Sequence, residues 1–287
     1  MSINRRVAIV TDSTCDLPHD VAATHNITVV PLNVHFGESV YADQIEITTD
    51  EFMEKMANST ALPTTSQPSV GAFEDAFKQA AQAQGVTDIV CITISSKLSG
   101  TFQSASIAGQ NLADTLNVEV VDSFSGAYGL GFQAIRATEL ADAGMGAKEI
   151  AEALRNEISR YHLVFFVETL EHLRRGGRIG KAAQMVGTIL QLKPLLRVDE
   201  GAIVPFERTR TRSKAIKALE AFVAESGPVE ELAVLYNTTP DEAKALAAAI
   251  GVYTPGVEPI LAKVSPVIAT HIGPGVLGIA MKERLGE

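Results

Sequence analysis

The pattern that most constrains the fold of this chain is an alternation of short apolar strands with amphipathic helices over the first half of the sequence. Between residues 69 and 84, apolar residues recur at spacings of three and four and end at Gly85, as in a helix that buries one face. Runs rich in β-branched residues predict strands at 7–11, 27–34, 86–94 and 118–121. Alternating strands and helices form mostly parallel sheets with flanking helices on both faces. The sequence therefore predicts an α/β domain.

The pattern changes near residue 160. Residues 193–198 and 202–207 flank the sequence Asp199-Glu200-Gly201, which is typical of a hairpin turn. Helices are predicted at 212–224 and 241–250, and further strands at 162–167, 231–236, 257–264 and 267–271. We therefore predict an N-terminal domain at 1–160 with a mostly parallel sheet, and a C-terminal α+β domain at 161–287 with a largely antiparallel sheet.

Composition and charge exclude several classes of protein. The 287 residues carry a net charge of −10, which disfavours a nucleic-acid binder, because such proteins present a basic face to phosphates. The first predicted strand begins at residue 7, which leaves no room for a secretory leader, and no apolar run is long enough for an integral membrane segment. Cys15 and Cys91 are predicted to be buried thiols. These observations predict a cytoplasmic protein.

Two segments rich in hydroxyl groups follow strands and open helices. Thr65 and Ser66 lie in the sequence PTTSQPS at 63–69, and Ser99 and Gly100 lie in SSKLSGT at 95–101. One interpretation is that these residues only cap the helices. The alternative is that hydroxyls and free backbone N–H groups hold an anion, which the helix dipole favours. Both segments lie on the same predicted side of the sheet, where ligands of parallel sheets bind.

Two further segments of the second half of the chain are basic. His271 precedes a Gly-Pro-Gly turn, where it is either a structural residue or a donor to a bound anion. In the segment 207–212, the residues Arg208, Arg210 and Arg212 either form an exposed basic face or include a buried counter-ion.

The sequence predicts no cofactor and no metal site. Arg175 stands where a Walker A loop at 175–182 needs a glycine, and Ala182 stands where it needs Ser or Thr. No G-x-G-x-x-G follows the first strand, and Ser99 does not lie in a G-x-S-x-G nucleophile elbow. The carboxylates of the chain show no spacing typical of metal ligands.

Five short motifs occur in the order typical of the DegV family: VTDS at 10–13, TSQPS at 65–69, LSGT at 98–101, GGRI at 176–179 and HIGPG at 271–275. The chain resembles this family from about residue 7 to residue 281. The resemblance implies a ligand between an N-terminal α/β domain and a C-terminal α+β domain, and it implies that this ligand is a long-chain fatty acid. Many members look like the fatty-acid-binding subunit of bacterial fatty acid kinase, which presents the acyl carboxylate to a separate kinase for acyl-phosphate formation.

The resemblance also implies which residues bind the ligand's carboxylate. Thr65 and Ser99, with Ser66 and Gly100 beside them in the same motifs, resemble the residues that donate hydrogen bonds to it. His271 resembles a basic partner of the same head group.

Further roles follow from the same resemblance. Arg210 resembles a second basic partner of the head group, and Arg174, Arg175 and Arg178 resemble a surface at which the kinase docks. Small residues at 125–131 are a further hypothesis: they either leave room for the acyl tail or allow a helix to pack closely on the sheet. The resemblance implies no catalytic activity for the chain alone.

Two other functional classes are compatible with parts of the sequence. An acyl hydrolase or transferase would use Ser99 as nucleophile and His271 as base, and it would need a third group to orient the histidine. A regulatory or nucleic-acid-binding role is the other class, which the net charge disfavours.

Overall fold

The strands and helices alternate along the chain. The computed structural model describes residues 6–185 and 193–284. In chain order its strands are β1 (Val7–Asp12), β2 (Ile27–Val30), β3 (Asn33–Phe36), β4 (Ser39–Ala42), β5 (Thr64–Ser66), β6 (Asp88–Thr93), β7 (Asn117–Asp122), β8 (Tyr161–Phe166), β9 (Lys193–Asp199), β10 (Ala202–Thr209), β11 (Val229–Tyr236), β12 (Ile260–Lys263) and β13 (Leu277–Glu283). Its α-helices are α1 (His19–Thr24), α2 (Thr49–Ala57), α3 (Val70–Gln84), α4 (Thr101–Asn111), α5 (Ala127–Asp142), α6 (Ala147–Glu157), α7 (Glu171–Arg175), α8 (Arg212–Glu225), α9 (Pro240–Gly251) and α10 (Pro266–Ile272). Short 3-10 helices cover Ser13–Cys15, Ile158–Arg160 and Gly180–Met185.

The first sheet contains β2, β1, β6 and β7 in that order, and all neighbouring strands are parallel. Every residue of β1 is buried. Val7 and Ile9 face a core that α5 and α6 cover, whereas Ala8 and Val10 face a core that α3 and α4 cover. Because both faces are covered, the two central strands β1 and β6 are largely apolar runs in the sequence.

The second sheet contains β10, β9, β8, β13, β11 and β12 in that order. Its neighbouring strands are antiparallel, except for the parallel pair β11 and β12. Successive side chains of a strand point to opposite faces. In β8, therefore, Val164 and Phe166 join the core under α8 and α9, whereas Leu163 and Phe165 join the core shared with the first sheet. The predicted mixed α/β fold, with a parallel sheet first and a largely antiparallel sheet second, is confirmed.

Helix α5 connects the two sheets by lying between them. It contacts β1 and β6 of the first sheet and β8, β11 and β13 of the second, and most of its side chains are buried. A small antiparallel sheet in the order β4-β3-β5 packs beside α10. The second sheet begins at Tyr161, so we retain a domain boundary near residue 160 as a proposal.

The predicted strand at 27–34 is wrong in its length, because the chain leaves the first sheet at Pro31. Strand β2 ends at Val30, and β3 starts at Asn33 in the small sheet. Proline has no N–H group to donate to a strand ladder. The N–H of Leu32 donates instead to Ser13 Oγ at 3.0 Å. The turn therefore directs β3 away from the first sheet.

The predicted strand at 267–271 is a helix, α10. Ser265 caps this helix, because its Oγ accepts a hydrogen bond from the N–H of Ile268, and Pro266 occupies the first turn. Ser followed by Pro at these positions is typical of a helix start. The strand that follows, β13, lies in the middle of the second sheet and was not predicted. Cys15 and Cys91 are both buried and free, as predicted.

The close packing of α5 gives a first testable prediction. A Cβ atom at Gly131 would lie 2.7 Å from the carbonyl oxygen of Cys15 and 3.0 Å from Cδ2 of Leu17. Because overpacking a core costs about 1–3 kcal/mol, we expect Gly131→Ala to lower the free energy of unfolding by that amount in urea denaturation.

The matched control is Gly71→Ala in the exposed first turn of α3. A Cβ atom there would meet nothing nearer than Ser69 Oγ at 3.9 Å. Alanine favours a helix over glycine by up to about 1 kcal/mol, so this variant should be as stable as the parent or more so. Equal stabilisation of both variants would contradict the packing described for α5.

Candidate functional site

A cavity lies in the core between the two sheets. The cavity and its mouth, with the open solvent at the mouth included, hold about 780 Å³ of space not occupied by protein atoms. Most of its lining side chains are apolar. The lining residues are Leu32, Thr65, Ile94, Leu98, Ser99, Gly126, Ala127, Leu163, Phe165, Leu173, Arg178, Val198, Ile203, Leu235, Val264, Val267, Ile268, His271, Ile272 and Val276.

The polar side chains of the lining lie together. They are Thr65, Ser99, Arg178 and His271. Thr65 Oγ1 lies 2.8 Å from His271 Nε2. Arg178 Nε donates to the carbonyl oxygen of Leu98, the neighbour of Ser99, at 3.0 Å. Among the described residues, the hydrogen-bonding side chains of the lining therefore lie in one region of a cavity that is otherwise apolar.

The short strand β5 determines which hydroxyl groups reach the cavity. Successive side chains of a strand alternate between its faces. Thr65 points towards His271, whereas Ser66 points away, and its Oγ lies 2.9 Å from Nε2 of His35. Of the two neighbouring hydroxyls that we predicted as ligand-binding, the structure brings only Thr65 to the cavity.

Ser99 lies in the loop that opens α4. Its Oγ is 2.9 Å from Thr101 Oγ1 and accepts a weak hydrogen bond from the N–H of Thr101 at 3.4 Å. Gly100 is the N-cap residue of α4 and is not part of the lining. A Cβ atom at Gly100 would lie 2.2 Å from Oε1 of Gln67. Gly100 therefore allows the loop to approach Gln67 closely, while Ser99 faces the cavity.

His271 is a neutral side chain in this site. Burial is the main cause that lowers its pKa to about 4, and the positive charges of Arg178 and His172 contribute to the same shift. Its ring packs closely against Gly176, because a Cβ atom there would lie 2.2 Å from His271 Nδ1. Nδ1 is buried without a hydrogen-bond partner in the described part of the chain. The nitrogen next to Thr65, Nε2, is therefore the one that faces the polar region.

The three arginines predicted to dock a partner do not share one environment. Arg174 and Arg175 are exposed, and each pairs with Glu171, at 2.9 and 2.5 Å. Arg178 turns inward, lines the cavity, and donates from Nη1 to the carbonyl oxygen of Gly176 at 2.6 Å. Its charge lies beside His271, and the docking role of Arg178 stays a prediction.

Arg210 does not reach the cavity. Strand β10 ends at Thr209, whose Oγ1 donates to the carbonyl oxygen of Lys193 at 2.5 Å, and Arg210 follows as an exposed residue. Among the described residues, the cavity lining includes neither Arg208 nor Arg212. Arg212 pairs with carboxylates elsewhere in the second half of the chain. Arg178 therefore occupies the place beside the hydroxyls that we predicted for Arg210.

Three buried carboxyl groups near the cavity were not predicted as part of the site. Asp12 Oδ2 accepts a hydrogen bond from the N–H of Ile94, a lining residue, at 2.7 Å. Asp16 and Asp43 accept hydrogen bonds from the N–H groups of Ser265 and Val267 at 2.9 and 3.2 Å. These last two contacts hold the first turn of α10, the helix that carries His271. The sequence signal for them is weak, because the contacts span more than two hundred residues.

Burial raises the pKa of each of these carboxyl groups. The pKa of Asp12 is raised to about 6 and that of Asp43 to about 7, and that of Asp16 lies well above its ordinary value. The hydrogen bonds that they accept oppose the shift, and the negative charges of the group add to it for Asp16 and Asp43. Asp12 and Asp43 therefore change protonation state near neutral pH, and Asp16 keeps its proton to a higher pH than an ordinary carboxyl group.

The small residues at 125–131 divide between the two roles considered for them. Gly126 and Ala127 line the cavity. Gly129 and Gly131 instead allow close packing. A Cβ atom at Gly129 would lie 2.5 Å from Ser125 Oγ, and one at Gly131 would lie 2.7 Å from the carbonyl oxygen of Cys15.

Two further properties concern the described residues as a whole. No helix among them is long and apolar enough to cross a lipid bilayer. Within residues 6–185 and 193–284, no group of three or more His, Cys, Asp or Glu side chains has the arrangement of a metal site.

Fold and site together define a mixed α/β protein with an internal cavity whose described lining is apolar except for one group of polar side chains. A family model described as "Uncharacterised protein, DegV family" matches residues 6–284, and this chain belongs to the DegV family. A DegV domain-containing protein of Streptomyces coelicolor is 38% identical over 285 residues, which cover 98% of this chain and 100% of that protein.

Two solved structures show the same fold. A fatty-acid-binding DegV family protein from Thermus thermophilus is 35% identical, has a TM-score of 0.87, and is matched over 97% of this chain and 100% of that chain. DegV from Bacillus subtilis, described as a fatty acid binding protein, is 33% identical with a TM-score of 0.88, over 98% of this chain and 100% of that chain. The fold predicted from the motif order is therefore the fold of solved family members.

The pKa of Asp43 gives a prediction about stability. A carboxyl group with a higher pKa in the folded state than in the unfolded state binds more protons when folded, so stability falls as pH rises between the two values. For Asp43 this interval runs from 3.8 to about 7. At about 1.4 kcal/mol per pKa unit, the loss reaches at most about 4 kcal/mol.

We expect Asp43→Asn to remove much of this loss, so that urea denaturation gives a flatter dependence of the free energy of unfolding on pH than in the parent. Asp241→Asn, at an exposed carboxylate of α9, is the control and should leave the pH dependence unchanged. A profile for Asp43→Asn that matches the parent would show that Asp43 does not titrate in this range.

Proposed function

We propose that this protein encloses a long-chain fatty acid, with the acyl chain in the apolar cavity and the carboxylate beside Thr65, Ser99, His271 and Arg178. The observation that carries the proposal is that the polar side chains of the described lining group at one place in a cavity that is otherwise apolar. An amphiphile with one small polar end and a long apolar chain fits such a lining. The fatty-acid-binding family members described above support the same ligand class.

Burial of the acyl chain provides the driving force. A C16 chain contains about 14 methylene groups, and each contributes about 0.8 kcal/mol on transfer from water, or up to ~11 kcal/mol before the costs of association. The carboxylate opposes binding, because burying an unpaired charge costs several kcal/mol or more. Hydrogen bonds to the charged group, at ~1.5–3 kcal/mol each, offset that cost.

Each polar residue has a distinct part in holding the carboxylate. Thr65 and Ser99 donate hydroxyl protons, and His271 donates from Nε2. Arg178 supplies the positive charge, since its guanidinium lies close enough to His271 to lower the pKa of that ring. Carbonyl oxygens hold Arg178 in place through Nε and Nη1.

We further propose that the protein presents the carboxylate to a separate fatty acid kinase in the cytoplasm and has no catalytic activity alone. Arg174 and Arg175 are exposed close to the inward-facing Arg178, so they remain candidates for the docking surface. Protein loaded with palmitate should yield acyl phosphate only when both the kinase and ATP are added. Acyl phosphate formed by the chain with ATP alone would contradict this part of the proposal.

The hydrolase alternative gains no support from the geometry. Among the described residues no hydrogen bond joins Ser99 and His271, since Ser99 Oγ contacts Thr101 and His271 Nε2 contacts Thr65. A serine nucleophile also needs its histidine oriented by a third group, and His271 Nδ1 has no such partner in the described part of the chain.

The hydroxyl of Thr65 provides a direct test of the head-group assignment. We expect Thr65→Ala to weaken palmitate binding by about tenfold or more, because a hydrogen bond to a charged group contributes ~1.5–3 kcal/mol. Ser66→Ala is the matched control, since this neighbouring hydroxyl faces His35. Fluorescent fatty-acid displacement measures both. Equal affinity in the two variants would refute the assignment of Thr65.

The protonation of His271 predicts how binding depends on pH. A carboxylate bound beside the ring raises the histidine's pKa from its value of about 4 in the free protein. The ring therefore takes up a proton on binding at pH values between about 4 and its raised pKa in the complex, and across that interval the affinity for palmitate should rise as pH falls. In His271→Gln this rise should be absent, while the titration of palmitate itself is unchanged. The same slope in both proteins would exclude His271 as the titrating group.

A further inference from the structure

A turn of sequence Gly-Pro-Gly at 273–275 follows α10 and connects this helix to β13. The φ angles of its two glycines are 73° and 76°, a backbone conformation that residues with a Cβ atom rarely adopt. The turn begins two residues after His271, and the residues that flank it, Ile272 and Val276, line the cavity. The placement of this turn therefore affects both the imidazole ring and the cavity wall.

One buried amide side chain bridges the turn. Asn237 directly follows β11 and is 2% exposed. Its Nδ2 donates to the carbonyl oxygen of Gly273 at 2.7 Å, and its Oδ1 accepts from the N–H of Gly275 at 3.0 Å. Oδ1 also accepts from the N–H of Thr238 at 2.7 Å. The bridge needs a donor and an acceptor on one side chain; an ionised Asp of the same size could only accept, and Leu could do neither.

Two further side chains of the second half of the chain hold the same turn. Thr238 Oγ1 accepts from the N–H of Gly275 at 3.0 Å, and Arg212 Nη1 donates to the carbonyl oxygen of Gly275 at 2.7 Å. Arg212 is itself held by ion pairs with Glu168 and Glu242, both at 2.5 Å. Side chains of the second half thus hold the end of α10, whereas buried carboxyl groups of the first half hold its start.

The turn is joined to the helix that carries the histidine. The N–H of Gly273 donates to the carbonyl oxygen of Ala269 at 2.9 Å, which closes the last turn of α10 around His271. Nε2 of His271 lies 2.8 Å from Thr65 Oγ1. Because hydrogen bonds weaken as their distance and angle depart from the preferred values, a displaced turn would weaken the contacts that Nε2 makes.

We propose that Asn237 is a positioning residue for the carboxylate site: by bridging the turn at 273–275, it fixes the last turn of α10 and with it Nε2 of His271. The proposal rests on the function proposed above, in which Nε2 donates to the ligand's carboxylate. Asn237 is not part of the described cavity lining. Its effect on the ligand therefore passes through His271.

The substitution Asn237→Ala removes the bridge and tests this proposal. We expect the affinity for palmitate to fall about fivefold or more, because a misplaced His271 loses much of its hydrogen bond to the carboxylate. In the ligand-free protein, the Cε1–H NMR signal of His271, identified by its absence from His271→Gln, should shift. Fluorescent fatty-acid displacement measures the affinity, and urea denaturation establishes the conditions in which the variant is folded.

A second variant, Thr238→Val, carries the test where Asn237→Ala does not fold. Thr238 is exposed, and valine keeps its shape while it removes one acceptor of the Gly275 N–H. We expect a smaller effect in the same direction, a loss of palmitate affinity of about twofold with a shift of the His271 signal, because Asn237 still holds the turn.

The matched control is Thr254→Val in the loop after α9. The buried Thr254 hydroxyl donates to the carbonyl oxygen of Val257 at 3.4 Å. This variant should leave both the palmitate affinity and the His271 signal unchanged. Parent affinity and an unshifted His271 signal in folded Asn237→Ala would overturn the proposal, as would equal changes in Thr238→Val and Thr254→Val.

Failure of the wider function has a different signature. If the parent protein does not bind palmitate, the fatty-acid proposal fails, and the His271 signal of the ligand-free protein still decides the role of Asn237. A shift in Asn237→Ala that is absent from Thr254→Val would then support the positioning role, and no shift would contradict it.

Discussion

Two buried carboxyl groups from the first half of the chain hold the start of α10, and the position of the cavity's polar region depends on them. Asp16 and Asp43 accept hydrogen bonds from the backbone N–H groups of Ser265 and Val267. Thr49 adds a third contact, because its Oγ1 donates to the carbonyl oxygen of Val264 at 2.8 Å. The N–H groups at a helix start have no partners within the helix, so acceptors from outside the helix must satisfy them. The first half of the chain therefore supplies hydrogen-bond acceptors for the N–H groups at the start of α10. Helix α10 in turn places His271 beside Thr65.

The same arrangement explains how a protein can be well packed and still enclose a cavity. Helix α5 fills the space between the sheets with closely packed residues, whereas its start, at Gly126 and Ala127, leaves room and lines the cavity. Apolar side chains from both sheets complete the walls. Since empty apolar space costs stability, a ligand that fills this cavity stabilises the fold by mass action. Ligand binding and folding stability are thus coupled in this molecule.

Local sequence patterns predicted the features that depend on interactions between residues close together in the sequence. The β1 strand, the α3 helix and the hairpin of β9 and β10 were predicted correctly, and the hairpin turn has the positive φ angles at Glu200 and Gly201 that such turns require. Contacts distant in sequence were not predictable in this way. The segment 267–271 is apolar and β-branched, but Ser265 and Pro266 start a helix there. The inward turn of Arg178 and the exposure of Arg210 depend on tertiary contacts, so sequence motifs alone did not distinguish these two arginines. Thr65, Ser99 and His271 all line the cavity, as does Arg178; their role in ligand binding stays a prediction.

Native mass spectrometry of the purified protein, followed by solvent extraction, tests the proposed ligand most directly. We expect a mass excess of roughly 250–290 Da that extracts as a fatty acid, which is the mass of a C16 to C18 chain with its carboxyl group. The excess should be reduced in Thr65→Ala and unchanged in Ser66→Ala, because only the first hydroxyl lines the cavity. An apo mass that stays the same after palmitate is added would contradict the proposal that this cavity encloses a fatty acid.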